Sequence, residues 1–276
     1  MVYNLPKLPP REENSNKGTF GKILNVSGSE YMTGAAYLSS VSALRTGAGY
    51  VELASHKDVL RAVSTLAPEI VLAPIERIPK ILESADVLAI GCGLSTSEDA
   101  VKLFKNTISQ VENIPVVIDA DGLNILADNK EILKQVQNDK VILTPHPKEA
   151  SRLLGKTLEE VLNHMEISAK DISKKYSCVT VLKSHKTIVT DGIVVYHNTT
   201  GNSALAKAGS GDVLTGMISG LLAQKMGIFD AACLGVYLHG LSGDLAKNDL
   251  TEYGVLASDT IRYIPYALKN YINKRS

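Results

Sequence analysis

The chain has 276 residues, of which 45% are hydrophobic, and its 29 acidic and 29 basic side chains give a formal net charge of zero. This composition supports a sizeable buried core, and the lack of a basic stripe argues against nucleic acid as a partner. No apolar run is long enough to span a membrane, and three scattered cysteines lack metal-ligand spacing, so we expect a cytoplasmic protein with reduced thiols.

The succession of elements along the chain indicates one domain over residues 1–276. Its first 16 residues form a polar N-terminal extension. Short runs rich in Val and Ile alternate with stretches of helical periodicity. The predicted strands are Ile23–Val26, Tyr50–Ala54, Val87–Ile90, Val116–Ile118, Val141–Leu143, Val179–Leu182, Thr187–Val189 and Ile193–Tyr196. The predicted helices are Thr33–Thr46, Lys57–Leu66, Ser97–Ile108, Pro147–Leu154, Leu158–Lys175, one beginning near Gly211, Ile228–Lys247 and Ser258–Asn273.

Several of these strands are apolar throughout, which is typical of parallel strands covered on both faces. The last two strands, joined across Asp191-Gly192, predict a hairpin with a tight turn. We therefore predict an α/β fold with a mostly parallel central sheet, helices on both faces and a helical C-terminal third.

The segment Asn202–Gly216 is the most informative part of the chain. Small residues run into Asp212, which stands at the start of an apolar helix with a second face of small residues. Free N–H groups at a helix start and the positive end of its dipole favour an anion, and an acid beside them indicates phosphoryl transfer. Asp is also a common helix-start residue, so this pattern alone leaves a purely structural explanation open.

Four further loops follow predicted strands, and the carboxyl ends of parallel strands form the usual ligand edge of such a sheet. Three loops have a structural alternative: a tight turn around Cys92, a structural His146 with a helix cap at Glu149, or a solvated hairpin entry. The Asp119–Asn124 loop resembles the start of a calcium loop, but Lys130 stands where that loop needs a Glu. The loops are Gly91–Ser95, Asp119–Asn124, Thr144–Glu149 and Lys183–Thr187.

Together with Lys17–Lys22 and Gly34-Ala35-Ala36, these segments resemble, in order and spacing, the ADP/ATP-dependent NAD(P)H-hydrate dehydratases. The resemblance runs from about Lys17 to the C-terminus, and we expect a stand-alone dehydratase without a preceding epimerase domain. It implies a ribokinase-like fold that uses ADP or ATP with Mg²⁺. The implied reaction dehydrates the S epimer of NADHX or NADPHX to NADH or NADPH, through phosphorylation of the substrate hydroxyl and loss of phosphate.

The resemblance also implies roles for individual residues, with Asp212 as the catalytic base. The implied anion hole is Ala208, Gly209, Ser210 and Gly211; the implied nucleotide site is Lys183, Ser184, His185, Lys186, Thr187 and Gly211. The implied substrate site is Ala35, Ala36, Gly93, His146, Asp119, Asn124 and Asp212. Glu149 matches the acid that positions a metal through water in ribokinase relatives, although His146 replaces the Asn of their Asn-x-x-Glu motif.

Two other functions remain open from the sequence. A small-molecule kinase of the same fold, for a vitamin precursor or a sugar, would share the helix start, but His146-Pro147-x-Glu149 and the lack of an insertion for a lid argue against it. A non-catalytic nucleotide sensor is the second, and the intact Asp212 argues against it. We expect a homo-oligomer, although burial in the core would explain the apolar C-terminal helices as well as an interface does.

Overall fold

A nine-stranded sheet forms the centre of the computed structural model, which describes residues 3–129, 132 and 140–274. Its order is β3-β2-β1-β4-β5-β6-β7-β8-β9; the pairs up to β6–β7 are parallel and the last two are antiparallel. The strands are β1 Lys22–Val26, β2 Tyr50–Ser55, β3 Val71–Pro74, β4 Val87–Ile90, β5 Val116–Ile118, β6 Val141–Leu143, β7 Val179–Leu182, β8 Ile188–Thr190 and β9 Val195–His197.

Helices cover both faces of the sheet, so the predicted α/β architecture is confirmed. They are α1 Thr33–Thr46, α2 Lys57–Leu66, α3 Ile78–Leu82, α4 Glu98–Ile108, α5 Asp121–Asp128, α6 Pro147–Leu154, α7 Leu158–Asn163, α8 Met165–Tyr176, α9 Ser210–Ala223, α10 Ile228–Gly254 and α11 Ala257–Asn273. Alternate strand residues enter different cores: Leu24 belongs to the core formed with α3 to α8, and Ile23 belongs to the core formed with α1, α9, α10 and α11.

The structure differs from the sequence prediction at several elements. The prediction lacked β3, a four-residue edge strand that ends in Pro74, and the short helices α3 and α5. The helix predicted over Leu158–Lys175 is two helices, because His164 between them has a non-helical backbone. The predicted hairpin is confirmed as β8 and β9, but its connection is a four-residue loop, residues 191–194, and the predicted tight turn is wrong. In this loop the Asp191 carboxylate accepts the N–H groups of Ile193 and Val194 at 2.8 and 2.7 Å.

Small residues bring α9 into close contact with α1 and so fix the position of its N-terminus. A Cβ at Gly216 would lie 2.0 Å from Ser42 Oγ, and one at Gly220 would lie 2.7 Å from the Ala43 carbonyl oxygen. The face of small residues predicted for this helix is therefore a packing surface. It places the first turn of α9 at the carboxyl edge of the sheet.

The N-terminal segment packs on the helical C-terminal third. Tyr3 lies edge-on to Tyr196 and Phe229, with ring centroids 5.7 and 5.1 Å away. The Tyr271 hydroxyl donates to the Pro6 carbonyl oxygen at 2.6 Å. Within the residues described, no helix combines the length and hydropathy needed to cross a membrane.

Replacing Gly216 with Ala should destabilise the protein, because the new methyl group has no room against α1. Overpacking of this kind costs about 1–3 kcal/mol, which outweighs the roughly 1 kcal/mol that Ala gains over Gly in a helix. Gly34→Ala is the matched control, since a Cβ there would meet no atom within 4 Å. Urea unfolding midpoints measure both; equal midpoints for the two variants would refute the packing argument.

Candidate active site

The loops after β4, β5, β6 and β7 meet at the carboxyl edge, as the sequence predicted, and the loop after β1 joins them. The loop after β1 contacts the loop after β4, where the Gly28 N–H donates to the Cys92 carbonyl oxygen at 2.8 Å. The loop after β6 contacts β7, where the Lys183 N–H donates to the Pro145 carbonyl oxygen at 2.8 Å. Gly91 fits against the backbone of Asp119, since a Cβ at Gly91 would lie 2.1 Å from that residue's carbonyl oxygen. These contacts bring the candidate residues into one site.

Asp119 is the centre of this site and is only 1% exposed. Its Oδ1 accepts from Lys183 Nζ at 2.6 Å and from the Ala120 N–H at 2.8 Å, and its Oδ2 accepts from Thr215 Oγ1 at 2.8 Å. A buried carboxylate is tolerated when such donors replace water. Asp119 therefore links β5, β7 and α9 through one charged group.

Lys183 lies between two acids. Its Nζ is 2.6 Å from Asp119 Oδ1 and 4.0 Å from Glu149 Oε2. Burial lowers the pKa of Lys183, but the two carboxylates oppose that effect, and the net pKa shift is upward. The ammonium is thus held in its charged form inside the site.

Glu149 and His146 cap the start of α6 together. The Glu149 carboxylate accepts the His146 N–H at 2.8 Å, while His146 Nδ1 accepts the N–H groups of Lys148 and Glu149 at 3.1 and 3.3 Å. Burial raises the pKa of Glu149 to about 7, although Lys183 opposes the shift. Burial and then Lys183 lower the pKa of His146, which favours a neutral ring whose Nε2 faces Glu149 Oε1 at 3.3 Å.

Helix α9 begins at Ser210, one residue before the predicted start. Gly209 precedes it with φ 90°, a conformation that suits glycine. A Cβ at Gly211 would lie 3.3 Å from Lys183 Nζ and 3.7 Å from Asp119 Oδ2. The free N–H groups of the first turn and the Lys183 ammonium therefore lie side by side, which is an arrangement that binds anions.

Asp212 lies in this first turn, and its surroundings make it a stronger base than an ordinary aspartate. Burial, followed by the nearby Asp119 carboxylate, raises its pKa to about 6, while a hydrogen bond from Cys92 and the Lys183 charge oppose the shift. Burial, then Asp212 and Asp119, raise the pKa of the Cys92 thiol, which therefore stays protonated and can donate. Cys92, which sequence patterns left open, contacts the candidate base.

The predicted substrate residues have different surroundings. Gly93 has φ 61°, and a Cβ there would lie 2.7 Å from the half-buried Ala35 Cβ. Ala36 is fully buried in an apolar cluster, so only its backbone could reach a ligand. Asn124 lies on α5 rather than in a loop; its amide accepts from Arg152 and donates to Asp121 Oδ1 at 3.4 Å.

The predicted nucleotide segment after Lys183 is a solvent-exposed turn. Thr187 closes it, accepting the Ser184 N–H at 3.3 Å, while Ser184 Oγ accepts the Lys186 N–H at 3.0 Å. His185 is exposed at the tip. The turn is therefore accessible to a ligand, beside the charged side chains of Lys183, Asp119 and Glu149.

Sequence reasoning placed Thr215 on the face of small residues of α9 and missed its role as the third donor to Asp119. Thr215 follows Asp212 by three positions and so lies on the same side of α9, which is the signal that could have found it. Among the described residues, no group of three His, Cys, Asp or Glu side chains could hold a metal ion. Glu149 would therefore have to share a metal with ligand oxygens and water.

Replacing Asp119 with Asn should destabilise the protein strongly. Breaking a buried ion pair from one side costs about 3–5 kcal/mol. Because the Lys183 side chain is 19% exposed, we expect a value near the lower end of that range. Asp171→Asn is the control, because its pair with Lys156 lies at the surface and should contribute at most about 1 kcal/mol. Denaturant unfolding measures both losses, and losses of similar size would contradict the central place of Asp119.

Known proteins resemble this chain over most of its length. The profile of the NAD(P)H-hydrate dehydratases matches residues 23–266. The ADP-dependent (S)-NAD(P)H-hydrate dehydratase of Neisseria meningitidis is 39% identical over 267 residues, which are 96% of this chain and 90% of that protein. A bifunctional NAD(P)H-hydrate repair enzyme of Moorella thermoacetica is also 39% identical, over 280 residues, but the chain spans only 52% of its length.

Solved structures agree with the sequence relatives. The ADP/ATP-dependent NAD(P)H-hydrate dehydratase of Bacillus subtilis, co-crystallized with ATP/Mg²⁺, matches with a TM-score of 0.83 at 30% identity. The match covers 96% of this chain and 94% of that one. The predicted ribokinase-like fold is thereby confirmed. With its sequence matched from residue 23 to residue 266, the chain belongs to the NAD(P)H-hydrate dehydratase family.

Proposed function

We propose that this protein dehydrates the S epimer of NADHX or NADPHX to NADH or NADPH at the expense of ADP or ATP. The observation that supports this most strongly is the convergence of Asp212, the free N–H groups of the α9 start and Lys183 at one sheet edge. A base, an anion site and a fixed cation are the groups that phosphoryl transfer to a hydroxyl requires. The names of the Neisseria and Bacillus relatives supply the identity of the acceptor.

Asp212 is the proposed base. Its carboxylate accepts the proton of the substrate ring hydroxyl while that oxygen forms a bond to phosphorus and the nucleotide's phosphate bond breaks. Loss of the phosphate then breaks the C–O bond, and loss of a proton from the neighbouring ring carbon restores the double bond. A base whose pKa is about 6 is ionised at neutral pH and is still more basic than an ordinary aspartate.

The start of α9 and Lys183 are the proposed stabilisers of the transferring group. Residues Ala208 to Gly211 are the proposed anion hole. The Ser210 N–H donates to the Lys207 carbonyl oxygen at 3.3 Å, so we assign the anion to the N–H groups of its neighbours. A preorganised donor of this kind can contribute about 3 kcal/mol to the transition state. The ion pair with Asp119 holds the Lys183 ammonium beside these donors.

The exposed turn from Ser184 to Thr187 is the proposed nucleotide contact, with Gly211 beneath the phosphates. Mg²⁺, when bound, would neutralise charge on the phosphates, and Glu149 would hold it through water. This fits a site whose described residues form no group of three metal-ligating side chains, because Mg²⁺ keeps several waters and takes phosphate oxygens as ligands. We propose the same use of magnesium for ADP and for ATP.

The substrate pocket is proposed to lie on the side of Ala35, Gly93, His146 and Asn124. Asp119 is too deeply buried to line it openly, so we assign it to positioning Lys183 and Thr215. We further propose a cytoplasmic homo-oligomer. Side chains of α10 and of the start and middle of α11 supply exposed apolar surface for contacts between copies, namely Leu250, Tyr253, Leu256 and Tyr266.

Asp212→Asn should keep the fold and lower turnover by about 10²–10⁴, the usual contribution of a general base. Recovery of reduced-nicotinamide absorbance from hydrated NADH, with ADP or ATP and magnesium, measures the rate. Asp58→Asn, which changes an exposed carboxylate on α2, is the matched control and should retain full activity. Near-normal turnover of the Asp212 variant would remove this residue from the role of base.

The value of kcat/KM should fall as the pH is lowered through about 6, because Asp212 can accept the proton only as the ionised carboxylate. Asp119, Asp121, Cys92 and Lys183 are the charged or titratable groups that influence it. Since the Cys92 hydrogen bond lowers the pKa of Asp212, Cys92→Ala should move this acid limb to higher pH. An acid limb that does not move in Cys92→Ala would assign it to another group, such as Glu149.

A further inference from the structure

Helix α10 lies against the loop that leads into α9, residues 198–209, and we propose that His239, Gly240 and Asp244 are positioning residues that hold this loop. The loop ends in the residues assigned to the anion hole, so the inference rests on the proposed function. None of the three helix residues was expected from sequence patterns. Gly240 and Asp244 contact the loop directly, and His239 contacts Ser210, the residue that follows the loop.

Gly240 allows the closest approach between the two segments. A Cβ at this position would lie 2.3 Å from Thr200 Oγ1 and 2.6 Å from the Thr200 carbonyl carbon. One turn earlier on the helix, the Tyr237 carbonyl oxygen accepts from Thr200 Oγ1 at 2.7 Å. The start of the loop therefore lies close to the backbone of α10, and the Thr200 hydroxyl bonds to that backbone.

Asp244 holds the next two residues of the loop with both of its oxygens. Oδ2 accepts the Gly201 N–H at 3.0 Å, and Oδ1 accepts from Asn202 Nδ2 at 2.7 Å. The oriented Asn202 amide in turn accepts the Ala204 N–H at 2.9 Å. One carboxylate thus fixes three successive parts of the chain that approaches the anion hole.

His239 contacts Ser210, the first residue of α9, which directly follows the loop. Its Nε2 lies 3.2 Å from Ser210 Oγ, and the side chain is 8% exposed. Burial lowers the pKa of His239 to about 4, so the ring is neutral at physiological pH. It therefore anchors Ser210 as a hydrogen-bond partner without adding a charge to the site.

The contacts occupy one face of α10. Residues 237, 240 and 244 recur at helical spacing, and Gly243 lies next to them, where a Cβ would be 2.7 Å from Leu205 Cδ2. One helix therefore contacts the start and the middle of the loop and the residue that follows its end. Such fixing matters for phosphoryl transfer, because a displacement of about 1 Å in the reacting groups can cost roughly 10²-fold in rate.

Three variants test the proposal: Asp244→Asn, His239→Leu and His239→Gln. The first two should lower kcat by about 10-fold to 10²-fold, with the nucleotide KM changed less than about 3-fold, because the lost interaction acts mainly in the transition state. His239→Gln keeps a hydrogen-bonding group at the site of Nε2 and should recover most of the lost kcat. Full activity in Asp244→Asn and His239→Leu would overturn the proposal.

Two control substitutions on the same helix separate positioning from general damage. Asp249→Asn makes the same charge change where the carboxylate faces Tyr263 on α11. Ser242→Ala removes a buried hydroxyl that donates to the Leu238 carbonyl oxygen of its own helix. Both should keep wild-type kcat. A loss in these controls equal to that in Asp244→Asn would mean that α10 acts through stability alone.

Hydrogen exchange of the amides in residues 198–209 tests the holding contacts without reference to the reaction. Exchange should be at least about 10-fold faster in Asp244→Asn and His239→Leu than in the wild type and the controls, because the contacts that close the loop are lost. Unchanged exchange overturns the inference. If exchange is faster in the two variants but the wild type restores no NADH from hydrated NADH, the proposed function is overturned and the holding role of α10 stands.

Discussion

The buried Asp119 carboxylate imposes the constraint from which the architecture of the site follows. A charge that is 1% exposed needs donors, and it obtains them from Lys183 at the end of β7 and from Thr215 on α9. Satisfying this one group brings together segments that are 64 and 96 residues away along the chain. The same bonds place an ammonium beside the free N–H groups at the start of α9, so stability and chemistry depend on the same contacts.

The charges around this centre are unevenly matched. Lys183 faces Asp119 and Glu149, while Asp212 lies close enough to Asp119 and Asp121 for both acids to raise its pKa. Burial, to which this surplus of acids adds, explains why the pKa values of Glu149 and Asp212 are raised to about 7 and about 6. An anionic nucleotide entering such a site meets like charges, which is the physical reason for expecting magnesium to accompany it.

Local patterns in the sequence predicted most of the sheet, the helix start at α9 and the four strand-end loops, because those features depend on periodicity and on parallel strands ending at one edge. The β3 strand escaped prediction because it is a four-residue edge strand, and the break at His164 left the helical periodicity around it intact. Thr215, His239 and Asp244 escaped for a different reason. Their partners lie far away in the chain, and only the folded structure shows that α10 supports the loop before α9.

The stoichiometry of a single reaction tests the account most directly. Purified protein is given hydrated NADH, magnesium and either ADP or ATP, and inorganic phosphate, nucleotide product and restored NADH are measured together over time. The account predicts equal amounts of all three, because each hydroxyl receives one phosphoryl group and then loses it as phosphate. A phosphorylated substrate that accumulates without NADH, or nucleotide that binds without being consumed, would contradict it.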